Sequence, residues 1–196
     1  MATTLYLRNI DANIYNTGNT TQYEFMTESR GATADSGVVN TTASGTDIIW
    51  TKTAGGAVLA WISEPVDSTQ SVTASTVTFN IWALESNMNA NAGGRARLFR
   101  WSANNETETL IAGPANDGVE FGTTIGAFNW TTTATATTLL KGDRIVARFY
   151  ITNIGTMATG FTCTLGFNGP TAGANGDSYV VLTDNLTFQR RIFVSP

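Results

Sequence analysis

The chain has 196 residues, of which 42% are hydrophobic and 10% aromatic, enough to bury the core of one sizeable domain. Charged residues make up only 13%, against a usual level of about 25%, and the formal net charge is −4. This acidic balance argues against binding nucleic acid through its phosphates, which requires a basic surface. The sequence contains no run of 18 apolar residues, so it predicts no membrane-spanning helix.

Histidine is absent from the sequence, and Cys163 is its single cysteine. Without imidazole, Ser-His-Asp and Cys-His catalysis and imidazole-based zinc sites are excluded. A lone cysteine forms neither an intrachain disulfide nor a thiolate cluster. Cys163 also alternates with Phe161 and Leu165, a pattern that predicts a buried apolar position. These observations predict a protein that is not an enzyme and holds no cofactor or metal.

From the N-terminus, the sequence predicts one strand and then a polar segment. Residues 4–10 alternate apolar and polar side chains, which is the period of a β-strand. Residues 11–36 are mostly polar, with one weak strand predicted around residues 22–26. We expect this segment to be an arm that is ordered by neighbouring subunits. Within one structural domain, we therefore divide the chain into an N-terminal strand and arm, residues 1–36, and a β-sandwich, residues 37–196.

Short strands separated by turns fill the rest of the chain. In residues 76–101, two alternating segments flank an Asn-rich loop that closes on Gly93-Gly94, and we predict that they form an antiparallel pair. A second pair of this kind is predicted over residues 143–168. Further strands are predicted at residues 38–42, 47–52, 57–63, 108–112, 119–121, 126–133, 137–140, 179–182 and 186–194.

No segment sustains the 3.6-residue period of a helix, and more than ten short strands without helices predict an all-β fold. We expect a single β-sandwich of the jelly-roll type. An immunoglobulin-like sandwich is the alternative, although the chain is about twice the length of one such domain. The residues expected in the core are Phe79, Ile81, Ile145, Ala147, Phe149, Phe161, Cys163 and Leu165.

Two carboxylate pairs could in principle support glycoside hydrolysis, which requires two acids held across a cleft. They are Glu64 with Asp67, and Glu106 with Glu108. Both pairs lie in polar, turn-like segments, so we interpret them as solvated turn acids. A structural calcium site would need ligands from the acids beside turns, but these acids show no spaced ligand motif. These acids are Asp117, Glu120, Asp177 and Asp184.

Aromatic and arginine side chains on the outer strand faces make up the candidate interaction surface. Trp82, Trp130 and Tyr150 are candidate platforms for stacking a sugar ring, but aromatic residues are also enriched at permanent protein interfaces. Both interpretations remain open. The complete set of candidate residues is Tyr6, Arg8, Trp82, Arg95, Arg97, Trp130 and Tyr150.

Several stretches carry a likeness to a known family: TLYLRN, NTTASGTDIIWTKTAGGAVLAWISEPV, FNIWALESNMNANAGGRARLFRW, NDGVEF, GDRIVARFYITNIGTMATGFTCTLGFNG and GDSYVVL. Together they resemble small β-sandwich virion structural proteins of tailed bacteriophages. The likeness covers most of the chain from Asp35 onward.

The resemblance implies a capsid decoration (cement) protein that docks on the major capsid protein shell and stabilises it. It further implies a homo-oligomer, with a trimer expected, on the capsid surface of a virion assembled in the host cytoplasm. It implies no catalytic, cofactor or metal residues, and we expect neither nucleic acid nor membrane as a partner. The alternative is a carbohydrate-binding β-sandwich module associated with a tail or fibre.

Overall fold

The computed structural model describes residues 1–12, 21–41, 48–50 and 58–189. These residues form β-strands and one 3₁₀ turn, Met88–Ala90, with no α-helix among them, so the all-β prediction is confirmed. In this part of the chain, no helix has the length and hydropathy to cross a membrane. The strands are β1 Thr3–Asp11, β2 Thr21–Thr27, β3 Asp35–Asn40, β4 Ile48–Ile49, β5 Val58–Ser63, β6 Gln70–Val72, β7 Thr76–Glu85, β8 Ala92–Trp101, β9 Glu108–Ala115, β10 Gly126–Thr133, β11 Thr137–Leu139, β12 Arg144–Asn153, β13 Thr162–Phe167 and β14 Tyr179–Leu182.

Twelve of these strands form one hydrogen-bonded sheet that folds over on itself, and β6 and β11 form a separate pair. The main order is β3-β13-β7-β14-β1-β2-β5-β12-β8-β9, with β10 beside β7 and β4 beside β12. Among the described strands, the pairings are antiparallel except for the parallel pair β2–β5. The half of the sheet around β7 and the half around β12 are the two layers of the sandwich.

The main core lies between these two layers. The ring of Phe79 on β7 meets the ring of Phe149 on β12 edge-on, with a centroid separation of 6.0 Å. Trp61 on β5 packs against the same Phe149 ring at 5.6 Å. Seven of the eight predicted core residues are buried. Phe161 is the exception, because it precedes β13 and packs only partly buried against the core.

The two strand pairs predicted within residues 76–101 and 143–168 are correct as strands but wrong as pairs. β7 pairs with β10, β13 and β14, whereas β8 pairs with β9 and β12. Each predicted hairpin is therefore an arch that carries the chain from one layer to the other. The two arches lie side by side, because the amide of Ile154 donates to the carbonyl of Asn91 at 2.9 Å.

The predicted N-terminal arm also differs from the structure, because β2 is an interior strand between β1 and β5. It has buried apolar side chains on both faces, and the buried Glu24 lies on the same face as Met26. Met26 belongs to the main core, while Tyr23 and Phe25 belong to a smaller second core on the other face of the sheet. The boundary at residue 36 consequently separates strands of one continuous sheet. The parts of predicted elements that fall on residues 13–20, 42–47, 51–57 and 190–196 lie outside the described residues.

The first strand of the chain is closed by the last described strand. Thr3 of β1 is the register partner of Leu182 in β14, and its amide donates to the carbonyl of Asp184 at 3.1 Å. The Thr3 hydroxyl in turn accepts a hydrogen bond from the amide of Leu186 at 2.8 Å. The start of the chain is thereby held beside β14, whereas the last described residues reach the segment after β5, where the Gln189 amide donates to the Pro65 carbonyl at 2.8 Å.

Candidate functional site

Two of the seven residues predicted to form an interaction surface are buried in the structure. Trp130 is 1% exposed and Tyr150 is 6% exposed, so neither offers a ring face to a ligand. The Trp130 indole lies directly over Gly94, where a Cβ would be only 1.9 Å from its Cη2 atom. The guanidinium of Arg97 covers the Tyr150 ring at 4.9 Å from the centroid. Both aromatic rings are therefore part of the packing of the sandwich.

The other five candidates lie on two separate faces. Tyr6, Arg8 and Trp82 share the outer face of β1, β14, β7 and β10, as their alternation along the strands and the strand registers require. Arg95 and Arg97 lie on β8, in the opposite layer. The sequence-predicted surface is thus not continuous. We call the first of the two faces the outer β7 face.

A row of aromatic and amide side chains crosses the outer β7 face. The register places Tyr6 opposite Tyr179, Tyr179 opposite Asn80, and Asn80 opposite Asn129. The Asn80 side chain donates to the Asn129 side-chain oxygen at 2.8 Å, and the two tyrosine rings meet edge-on at 5.4 Å. The next row contains Trp82, which is half-buried. This face therefore combines aromatic rings with uncharged polar groups.

One side of this face is closed by an ion pair. Arg30 donates from Nε to Asp177 Oδ1 at 2.8 Å, and its guanidinium lies 4.5 Å from the centroid of the Tyr6 ring. The hydrogen bond with Asp177 raises the pKa of Arg30. Arg8 is also engaged, because its Nε donates to the Asn168 side chain at 3.1 Å. The two arginines consequently stabilise the loops around the face.

The sheet forks beside Trp82. On one edge of β7, residues 77–80 pair with β14, whereas residues 82–85 pair with β13. At the fork, the Ser178 hydroxyl accepts a hydrogen bond from the Trp82 amide at 2.9 Å and donates to the carbonyl of Gly166 at 2.6 Å. A serine hydroxyl can do both, since it has one proton and two lone pairs. Ser178 thus bridges the two strands that separate here.

Gly166 leaves room for neighbouring side chains at this fork. A Cβ at Gly166 would lie 2.8 Å from Asn175 Oδ1 and 3.1 Å from Ile125 Cδ1. Trp82 is the register partner of Gly166 on β13 and of Ala127 on β10, so both strand neighbours of the indole are small. We call this arrangement of Trp82, Ala127, Gly166, Ile125 and Asn175 the Trp82 niche.

The predicted carboxylate pairs serve packing and turns. Glu108 receives two hydrogen bonds from Arg148, at 2.8 and 2.9 Å, and one from the Tyr23 hydroxyl at 2.6 Å. Burial and the contact with Glu108 raise the pKa of Tyr23. Glu64 lies 3.8 Å from Arg144, and Asp67 accepts from the Thr187 hydroxyl at 2.6 Å. Glu64 borders a cavity between β1, β2 and Phe188, but Asp67 does not line it, and neither Glu106 nor Glu108 does, so neither pair is held across this cavity.

A carboxyl pair that the sequence analysis missed lies where the β7 arch begins. Glu85 is fully buried, and its carboxyl group lies near that of Glu120. Each of the two carboxyl groups has one buried oxygen without a hydrogen-bond partner. Two ionised carboxylates could not donate a hydrogen bond to either oxygen. A shared proton satisfies both oxygens, because only a protonated carboxyl can donate. Burial first, and then the neighbouring Glu120 charge, raise the pKa of Glu85 to about 7.

Position in the strand was the signal that could have identified Glu85. Val77, Phe79, Ile81 and Ala83 define the inward face of β7, and Glu85 continues this series. Cys163 is the register partner of Glu85 on β13 and is fully buried, as predicted. Burial and the nearby Glu85 raise the pKa of this thiol to about 12, so it is protonated at neutral pH.

The acids considered for calcium do not assemble into a metal site. Asp177 binds Arg30 and accepts from the amide of Gly173 at 2.7 Å. Asp184 accepts from the amide and hydroxyl of Thr73. Within the described ranges, no three Asp, Glu, Cys or His side chains are grouped closely enough to hold a metal ion.

No protein-family model matches the chain, and no curated protein matches it. Solved structures do match. A CocE/NonD family hydrolase from Staphylococcus aureus has a TM-score of 0.57 at 10% identity. An alpha-amino acid ester hydrolase has a TM-score of 0.61 at 13% identity, and an aminopeptidase from a Thaumarchaeota archaeon of marine sediment has 0.60 at 11%. Each match covers 93% of this chain but only 36% of the other.

These neighbours contradict the prediction that the protein is not an enzyme, because the fold it adopts is one found in hydrolases and an aminopeptidase. The prediction relied on missing side chains, above all histidine, and such absences carry no information about fold relationships. At 10–13% identity, the likeness establishes the fold alone. The chain spans about a third of the length of these structures.

Proposed function

We propose that this chain is a structural protein of a tailed-bacteriophage particle, which docks on the major capsid protein shell as a homo-oligomer and stabilises it. The observation that carries the proposal is where the family-like stretches lie in the fold. TLYLRN lies in β1, two longer stretches form the two arches β7–β8 and β12–β13, and GDSYVVL leads into β14. The resemblance therefore follows the interior strands of both layers.

The two arches supply a docking surface at one end of the sandwich. This end, which we call the apex, consists of the loops at residues 86–91, 116–120 and 154–161. The amide of Ala158 donates to the carbonyl of Ala90 at 3.1 Å, and Gly93 bridges to Glu120. Met88 is 56% exposed and Val119 is 51% exposed, although both are large apolar residues. Exposed apolar groups within a polar rim are typical of a protein contact site.

A patch of this size docks effectively only in several copies. Standard protein interfaces bury about 1,600 Å² in total, far more than two exposed side chains contribute. A closed symmetric oligomer presents the same patch several times, and the later contacts then form at a high effective concentration. We therefore propose a trimer whose apices face the shell. Docking through loops agrees with the interior position of β2, which leaves residues 21–27 unable to act as an arm.

The test uses capsids that lack this protein and the purified chain. We expect wild-type protein to co-sediment with the capsids and to appear at regular positions in particle images. The double substitution Met88→Asp and Val119→Asp should lower occupancy by about tenfold or more, because it places charge in the contact. Leu110→Asp is the matched control, since Leu110 is 46% exposed on β9. Full occupancy of the double variant, or a monomer in sedimentation velocity at high concentration, would contradict the proposal.

A further inference from the structure

We propose that the Trp82 niche binds a neutral glycan, with one sugar ring stacked on the Trp82 indole. The inference is separate from docking on the capsid, because the outer β7 face and the apex are different surfaces. It replaces the aromatic platforms expected at Trp130 and Tyr150, which are buried. The site depends on Trp82, on the Asn175 and Ile125 side chains that cover Gly166, and on the polar groups around them.

The fork in the sheet makes this position different from the rest of the strand face. In the next row of the same face, Asn80 is flanked by the larger side chains of Tyr179 on β14 and Asn129 on β10. At Trp82, one neighbour is Gly166 and the other is Ala127, so the indole has no bulky side chain directly beside it on either strand. The Asn175 and Ile125 side chains cover Gly166 instead and form the rim beside the indole. An aromatic ring with small flanking residues can offer its face to a flat ligand.

Polar groups with unused hydrogen-bonding capacity surround the indole. The Trp82 Nε1–H, the Tyr179 hydroxyl and the Asn175 amide form no hydrogen bond with any of the described residues. In the neighbouring row, Asn80 and Asn129 bond to each other and each retain further donor or acceptor positions. An amide side chain presents a donor and an acceptor together, which matches adjacent hydroxyl groups on a sugar.

The charges around the niche indicate a neutral ligand. Trp82, Asn80, Asn129, Asn175 and Tyr179 are uncharged at neutral pH, and burial raises the pKa of Tyr179 further. The charged pair closest along the row, Arg30 and Asp177, is neutralised internally at 2.8 Å. A nucleic acid or an anionic lipid would need free cations here. A neutral sugar needs only an apolar ring face and a polar rim, and both are present.

The first experiment probes an array of immobilised neutral oligosaccharides with the labelled full-length protein. We expect binding to a limited group of glycans, and the strongest of these is then titrated by calorimetry. Trp82→Ala should weaken that binding by about tenfold or more. Thr131→Ala is the matched control, because Thr131 lies on the same outer face two rows from Trp82 and is exposed. It should bind as wild type does.

A second variant keeps the indole and changes only the side chains that cover Gly166 beside it. Gly166 lies in β13 without a positive φ angle, so alanine fits its backbone conformation. The added Cβ would displace the Asn175 side chain, whose exposed amide can move at little cost to the fold. Gly166→Ala should therefore weaken glycan binding by about threefold or more with unchanged thermal stability. This variant tests the site even if Trp82→Ala fails to fold.

Two results would overturn the inference. One is the absence of binding to every neutral glycan on the array. The other is glycan affinity equal to that of wild type in both the Gly166→Ala variant and a folded Trp82→Ala variant. A change of oligomeric state caused by Trp82→Ala, without glycan binding by wild type, would assign the face to a second copy of the chain instead. The variant with Met88→Asp and Val119→Asp should bind the glycan normally, so failure of docking and failure of glycan binding are distinguishable.

Discussion

The substitution Glu85→Gln should remove most of the pH dependence that the buried carboxyl pair gives to folding stability. The pKa of Glu85 is raised from 4.5 to about 7, so the folded protein binds this proton more tightly than the unfolded chain does. The stabilisation linked to this group is therefore full below pH 4.5 and is lost as the pH rises through 7. At 1.36 kcal/mol per pH unit, the whole difference corresponds to about 3 kcal/mol.

Glutamine keeps the geometry without the titration. Its side-chain oxygen can accept from the Ala92 amide, as Glu85 Oε2 does at 3.1 Å, and its amide can donate to Glu120. The free energy of unfolding of the variant should therefore equal that of wild type, or lie slightly below it, at about pH 5. At about pH 8 it should exceed that of wild type by about 2 kcal/mol. Guanidinium unfolding followed by tryptophan fluorescence at both pH values measures this difference. Glu28→Gln is the matched control, because Glu28 is exposed.

Parallel stability profiles of wild type and Glu85→Gln between these pH values would refute the shared-proton interpretation. A constant difference between the two profiles would mean that the pKa of Glu85 is the same in the folded and unfolded chain, and that Gln changes only its contacts. The stability profile of the Glu28→Gln control should match that of wild type at both pH values.

Three further predictions concern stability. Phe149→Ala should lower the free energy of unfolding by about 3–5 kcal/mol, since Phe149 is fully buried between the layers; chemical denaturation measures the loss. Deletion of residues 1–36 should abolish the cooperative thermal transition seen by circular dichroism, because it removes the interior strands β1 and β2; a truncated protein with a sharp transition would contradict this. Arg148→Met should destabilise by about 3–5 kcal/mol by leaving the Glu108 carboxylate unpaired, and adding Glu108→Leu should recover most of that loss, as a double-mutant cycle would reveal.

Strand positions were predictable from the sequence, but strand partners were not. The alternation along residues 77–83 reports which side chains face inward, and the structure agrees with it. It contains no information on which strand lies alongside, because any neighbour with an apolar face satisfies the same pattern. The Asn-rich loop before Gly93 is therefore compatible with a hairpin and with an arch between layers. The second possibility is the one observed.

Side chains with a role were harder to predict than strands. Trp82 was selected correctly as a residue of an outer face, but Trp130 was not, because its inward position depends on the absence of a side chain at Gly94 in the other layer. Glu85 and Glu120 are 35 positions apart and meet because Gly93 pairs with Glu120 and the Glu85 amide donates to the Gly122 carbonyl at 3.0 Å. Contacts of this kind follow from the topology, which local periodicity does not specify.

The pairing of β1 with β14 sets an order of events during synthesis. Thr3 and Asp184, which are hydrogen-bonded, are separated by 181 positions. β1 emerges from the ribosome first. Almost the whole described chain must then be translated before β14, the antiparallel partner of β1, emerges. Until then, Leu5 and Leu7 lack the neighbour that covers one edge of their strand. A nascent chain of this protein should therefore remain dependent on holding chaperones until β14 leaves the exit tunnel, and then close in a late, slow step.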